Sequence, residues 1–258
     1  MLFQIKSYLQ FLWNSKNEHG VHSPFVFSLV TRCFYNKENK PKYSLLKNYR
    51  KALLENKETI TVTDFGAGSR VFKSNKRQIA KIAKTAGISA KRAKLLYRIV
   101  EYFEPKSILE IGTSLGLATS ALALGNPKAK ITTLEGCPET SRIAQEQLQK
   151  SRIENVKSVT TSFESFFTSN KLDKHYDFIY FDGNHSKEAT LNYFEYLLPT
   201  IHNETVWIFD DIHWSAAMEE AWEIIKKHPQ VKVTIDTYQW GLVFFRKEQA
   251  KEHFVIRI

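Results

Sequence analysis

Residues 108–124 read ILEIGTSLGLATSALAL. A run of long and branched apolar side chains ends around Glu110, a glycine turn follows, and a helix of small residues begins. Gly112 lets the chain turn sharply where strand passes into helix. Gly116 lets the start of the helix come close to whatever lies above the strand's carboxyl end, the crevice where open α/β sheets bind ligands. Working outward, the next strand, KITTLEG at 130–136, ends at Glu135. That is about twenty residues past the turn, where an acidic side chain can accept both hydroxyls of a ribose.

The same alternation continues to the end of the chain. Short β-branched runs predict seven strands, at 107–112, 130–136, 156–162, 176–183, 205–211, 231–237 and 241–247, with helices at 90–103, 116–124, 138–150, 186–198 and 215–228. Only Tyr238, Gln239 and Trp240 join the last two strands, too few for a parallel crossover, so these form an antiparallel hairpin. The expected fold is α/β: a Rossmann-like, mostly parallel seven-stranded sheet with an antiparallel C-terminal hairpin. Residues 1–88 do not alternate and read as a basic helical N-terminal extension, leaving 89–258 as the ligand-binding domain. The extension holds His19 and His22 in NEHGVHSPFVF, with no further ligand at zinc spacing, so helix packing is their expected role. It also holds a second glycine turn, DFGAGS at 64–69, with no acid-ended strand behind it, expected to be a structured loop over the ligand cleft.

With 43% hydrophobic and 25% charged residues, a chain of 258 residues can bury a substantial core. No apolar run reaches the ~18–20 residues of a membrane helix. The opening MLFQIKSYLQFLWNSKN interleaves Lys6, Gln10 and Asn14 and lacks a small-residue cleavage site, so it reads as an amphipathic helix. Cys33 and Cys137 are too few and too far apart for a disulfide framework or a metal site, which points to a reducing compartment, the cytoplasm. The net charge of +10 is uneven: residues 1–100 hold 20 Lys/Arg against 5 Asp/Glu, and the remainder 17 against 22. No acid lies between Asp64 and Glu101, while Arg70, Lys73, Lys76, Arg77, Lys81, Lys84, Lys91, Arg92, Lys94 and Arg98 all do. Such a stretch is either a field for a polyanion or acidic substrate, or a solvated helical face.

The segments ISAKRAKLLYRIVEYFEPKSILEIG (88–112), YDFIYFDGNHS (176–186) and WIFDDIHWS (207–215), with the terminal hairpin, resemble the class I S-adenosylmethionine-dependent methyltransferases. Within them the chain is similar to the catechol-type O-methyltransferases and their bacterial relatives. The resemblance implies that Glu110, Gly112, Ser114 and Gly116 surround the amino-acid part of S-adenosylmethionine and that Glu135 binds its ribose. Ser162, Phe163 and Glu164 match the adenine-contacting turn, and Asp182 the acid ending the fourth strand. For the catechol-type enzymes it further implies a divalent cation, Mg2+, held by Asp182, Asp210 and Asp211. Here the chain departs from the family, with Asp210 and Asp211 where aspartate is usually followed by asparagine, and His185 where a catalytic lysine is usual. Asp182 and His185 are therefore the expected catalytic residues, the imidazole taking a proton from the acceptor. The same acids could instead cap helices or bind the cofactor.

A dinucleotide site is disfavoured because EIGTSLG lacks the GxGxxG that lets a backbone approach a pyrophosphate, and S-adenosylmethionine has no phosphate to cradle. The expected function is methyl transfer to an oxygen of a small-molecule or lipid-like acceptor. The alternatives are an RNA methyltransferase that uses the basic N-terminal segment and a non-catalytic binding protein on the same fold.

Overall fold

The computed structural model describes residues 2–63, 74–169 and 175–258. The DFGAGS turn, Arg70 and Lys73 therefore lie outside the described residues. The N-terminal region is mainly helical. Helix α1 (Leu2–Asn14) is followed by α2 (Pro24–Leu29), which opens with Pro24 and with Ser23 as its cap, the hydroxyl accepting the Val26 N–H at 3.4 Å. After α3 (Tyr43–Glu55) comes an element the helical expectation lacks, an antiparallel ribbon of β1 (Thr59–Thr61) and β2 (Lys76–Gln78). Helix α4 (Ile79–Thr85) follows. Helix α5 (Ala90–Phe103) is capped by Ser89, whose hydroxyl accepts the Arg92 N–H at 3.2 Å.

From there the expected alternation follows, with a helix α8 and a strand β10 that the sequence reading lacks: β3 (Ser107–Ile111), α6 (Leu117–Gly125), β4 (Lys130–Glu135), α7 (Pro138–Lys150), β5 (Val156–Thr160), α8 (Phe163–Ser169), β6 (Phe178–Phe181), α9 (Lys187–Leu197), β7 (Val206–Asp210), α10 (Ala216–Lys227), β8 (Val233–Asp236), β9 (Trp240–Phe244) and β10 (Glu252–Val255). The sheet is mostly parallel with an antiparallel hairpin, the Rossmann-like plan. Among the described residues it has eight strands where seven were expected, the addition being β10. The chain gathers into two compact units, residues 36–169 and residues 1–35 with 170–258, so residues 36–88 belong with the first half of the alternating region.

In the unit of residues 36–169, β4 lies between β3 and β5, all parallel, with Ile111 opposite Leu134 and Glu135 opposite Thr160. Strand β3 is buried almost throughout, as parallel strands covered on both faces must be. Helices α5 and α6 approach closely because Gly125 has no side chain: a Cβ there would sit 2.8 Å from the Tyr97 carbonyl oxygen. Helix α3 turns Tyr43, Leu46, Tyr49 and Leu53 inward, the three-four spacing of one helical face.

In the other unit, β6 and β7 are parallel, and β9 runs antiparallel to both β7 and β8, inserted between them. Strand β10 adds in parallel to β8. The N-terminal segment closes onto this edge, the Lys16 N–H donating to the Val255 carbonyl at 2.8 Å and the Arg257 N–H to the Lys16 carbonyl at 3.2 Å. Helix α1 buries Ser7 and Phe11 and leaves Leu2, Ile5, Leu9 and Trp13 exposed. Among the described residues no helix is long and apolar enough to cross a membrane.

Candidate active site

The strand-to-helix turn after β3 is built from three left-handed residues, Gly112 (φ 103°), Ser114 (φ 49°) and Gly116 (φ 76°). Protein acceptors hold it. The N–H groups of Gly112 and Thr113 both donate to the Leu134 carbonyl at 3.0 Å, and Gly116 N–H donates to the Thr113 carbonyl at 2.8 Å. Glu135 completes the set, one carboxylate oxygen accepting the Ser114 N–H at 2.8 Å and the other the Cys137 N–H at 2.9 Å. This bond offsets the cost of a left-handed serine. The Glu135 carbonyl also accepts the Thr161 N–H at 2.9 Å, so the ends of β3, β4 and β5 bring Gly112, Ser114, Glu135 and Ser162 into one array.

Two members of the expected cofactor set make contacts within the protein. Glu110 is fully buried, with one carboxyl oxygen accepting the hydroxyls of Thr119 and Thr133, both at 2.6 Å. Burial pushes its pKa up to about 8 against the pull of those two hydrogen bonds. It braces β3 against β4 and α6 beneath the turn. Gly116 makes room for the protein itself: a Cβ there would lie 2.4 Å from the hydroxyl of Tyr49, which donates to the Leu115 carbonyl at 3.0 Å. Tyr49 is buried and its pKa is raised, by burial first and then by Glu110. Ser162 caps α8, its hydroxyl accepting the Ser165 N–H at 3.1 Å, with Phe163 and Glu164 as the first residues of that helix.

The second constellation lies in the unit of residues 1–35 and 170–258. Asp182 follows β6, and its carboxylate is 3.8 Å from Nε2 of His185, both side chains being partly accessible. Asp210, the last residue of β7, is buried and spends one oxygen on the Asp211 N–H at 2.9 Å. The same N–H reaches the Gln239 carbonyl at 2.7 Å, and Asp211 itself is left-handed, with φ 53°. The expected Mg2+ site of Asp182, Asp210 and Asp211 finds no support: among the described residues no group of three or more His, Cys, Asp or Glu is placed to hold a metal ion, and one Asp210 oxygen accepts the Asp211 N–H. His19 and His22 are exposed.

Sequence reasoning missed a polar cluster in this unit. His213 lies between two carboxylates, Nδ1 at 2.6 Å from Glu219 and Nε2 at 2.8 Å from Asp236, while Ser7 of α1 reaches both His213 and Glu219. Burial alone would push its pKa down; Asp236 and Glu219 outweigh that and leave it raised. The partners lie in three separate elements, and no local motif marks them.

Residues 109–212 match the family described as "Methyltransferase domain". No curated protein matches the chain in sequence. Among solved structures, the chain is similar to the O-methyltransferase from Bacillus cereus in complex with SAH, at 18% identity and a TM-score of 0.57, covering 83% of this chain and 94% of that one. It is similar to the SAH-bound Podospora anserina methyltransferase PaMTH1, at 16% identity and a TM-score of 0.63, covering 88% and 97%. It is also similar to the O-methyltransferase TomG from Streptomyces achromogenes, involved in tomaymycin synthesis and solved with SAM, at 16% identity and a TM-score of 0.57, covering 86% and 95%. Residues 109–212 thus match a methyltransferase domain, and the chain shares its fold with these solved methyltransferases.

Proposed function

We propose that this chain transfers the methyl group of S-adenosylmethionine to an oxygen of a small-molecule or lipid-like acceptor. The observation that carries the reading is the use of the glycine turn. A dinucleotide site offers its turn N–H groups to a pyrophosphate. Here the N–H groups of Gly112, Thr113, Ser114 and Gly116 are all taken by protein acceptors. What the array presents instead is Glu135 at the end of β4, a carboxylate oriented by the Ser114 and Cys137 N–H groups, the residue type that accepts ribose hydroxyls. An acidic acceptor beside a turn whose N–H groups are already used fits a nucleoside without a phosphate.

When bound, S-adenosylmethionine supplies an electrophilic methyl carbon: the acceptor oxygen forms the new C–O bond while the C–S bond breaks, its electron pair returning to sulfur. The chain must orient that reaction and remove one proton. His185 takes the acceptor proton on Nδ1, and Asp182, 3.8 Å from Nε2, stabilises the imidazolium so formed. An oxygen acceptor is supported by the O-methyltransferases of Bacillus cereus and Streptomyces achromogenes, which share the fold.

Calorimetry with S-adenosylmethionine tests the cofactor half. Glu135→Ala is expected to weaken binding by roughly 1–3 kcal/mol through loss of charge-assisted hydrogen bonds. Unchanged affinity in a folded variant would remove Glu135 from the site. A screen of hydroxyl acceptors for S-adenosylhomocysteine release tests the rest. His185→Ala and Asp182→Asn should each lower turnover, by about 10²–10⁴-fold for the histidine, whose variant should leave cofactor binding intact.

A further inference from the structure

Helices α3, α5 and α6 enclose a cavity of about 450 Å³, within the ~300–1,000 Å³ of small-molecule sites. It exists because small side chains, Ala90 and Ala93 on α5 and Ser120 on α6, face the longer ones of α3. Its apolar lining includes Leu46 and Leu117, and no acidic residue lines it, whereas Lys47, Arg50 and Lys94 all do. Lys94 rests over the Tyr43 ring, 5.0 Å from its centroid. Arg50 is only partly exposed and spends its guanidinium on two carbonyls, Ala83 at 3.4 Å and Ile88. Among the described residues no carboxylate pairs with it. Burial accordingly holds its pKa below the usual arginine value. A charge removed from water without an opposite charge is costly, and an anion seated in the cavity would offset that cost.

We propose that this cavity is a second ligand site, which takes a small amphipathic anion: a carboxylate or phosphate head toward Arg50, with Lys47 and Lys94 beside it, and an apolar body against Leu46, Ala93 and Leu117. It is independent of methyl transfer. Two head groups share this chemistry, and the cavity's cations suit both.

Calorimetric titration of the full chain, without S-adenosylmethionine, with octanoate, octyl phosphate, octanol and octylammonium tests it. At least one anion is expected to bind about tenfold or more tighter than octanol and octylammonium, the increment of a charge-assisted contact; which of the two binds tighter identifies the head group. The double variant Lys47→Glu/Lys94→Glu alters two exposed side chains and should weaken that anion by about tenfold or more in a protein that still unfolds in a single cooperative transition. Ala90→Trp, at the exposed rim, should abolish binding by filling the space. Saturable binding of neither anion, octanol binding as tightly as the anions, or full affinity in both variants would overturn the assignment.

Discussion

At Gly116 the backbone φ of 76° and the Tyr49 hydroxyl together leave no space for a side chain. Gly116→Ala is expected to cost about 1–2 kcal/mol for the left-handed backbone alone, and more until Tyr49 moves. The obstruction is a single atom, so adding Tyr49→Phe should recover part of the loss in a double-mutant cycle followed by urea unfolding. Strictly additive losses would disconnect the two residues. The turn itself was legible because strand end, glycine spacing and a distant acid fall within one local pattern, and Glu135 stands where that pattern places it. The partner of Gly116 was not legible, since Tyr49 lies 66 residues before Leu115 in a helix with no mark to distinguish it. Nor was the use of Asp210: neighbouring acids suggest a shared cation, and only the left-handed turn at Asp211 reveals that one carboxylate is spent on a backbone N–H.

Helix α5 begins and ends where its pattern implies, and the hairpin of β8 and β9 follows from a connection too short to cross over. Strand β10 escaped because EHFV is four residues with two exposed polar side chains, and pairing with β8 alone makes it a strand. The ribbon of β1 and β2 escaped similarly: three-residue strands carry too few side chains to show a period. Between β7 and β8, β9 must approach α10 closely, and Gly241 permits this, since a Cβ there would meet the Trp222 ring at 2.6 Å. Gly241→Ala should therefore destabilise the protein by about 1–3 kcal/mol as overpacking. In urea the midpoint should fall with the slope unchanged; an unaltered midpoint would mean that Trp222 moves freely.

Over the whole molecule, two buried groups make stability fall as pH rises through neutrality. Glu110 keeps its proton in the native state up to about 8, whereas the unfolded chain loses it near the ordinary value of 4.5. In that window the native state binds more protons, so stability declines with pH, by up to ~1.4 kcal/mol per pH unit. His213, raised above 6.5, contributes stability that is complete below 6.5 and is lost as pH rises through its native value. His253, lowered by burial and by Lys226 and Lys251, acts in the opposite sense below 6.5. The melting temperature is thus expected to fall from about pH 6.5 to pH 9, and Glu110→Gln and His213→Gln should each flatten the slope. A slope equally steep in both variants would assign it elsewhere. The discontinuous unit has a consequence of another kind, for biosynthesis. Residues 36–169 leave the ribosome as one continuous piece. Residues 1–35 emerge earlier still, yet Gln4 waits for the Tyr238 hydroxyl, Lys16 for Val255, and Tyr35 for the carbonyl of Arg257. Helix α1 is thus made long before it can find its place, and its exposed Leu2, Ile5, Leu9 and Trp13 stay within reach of chaperones until then.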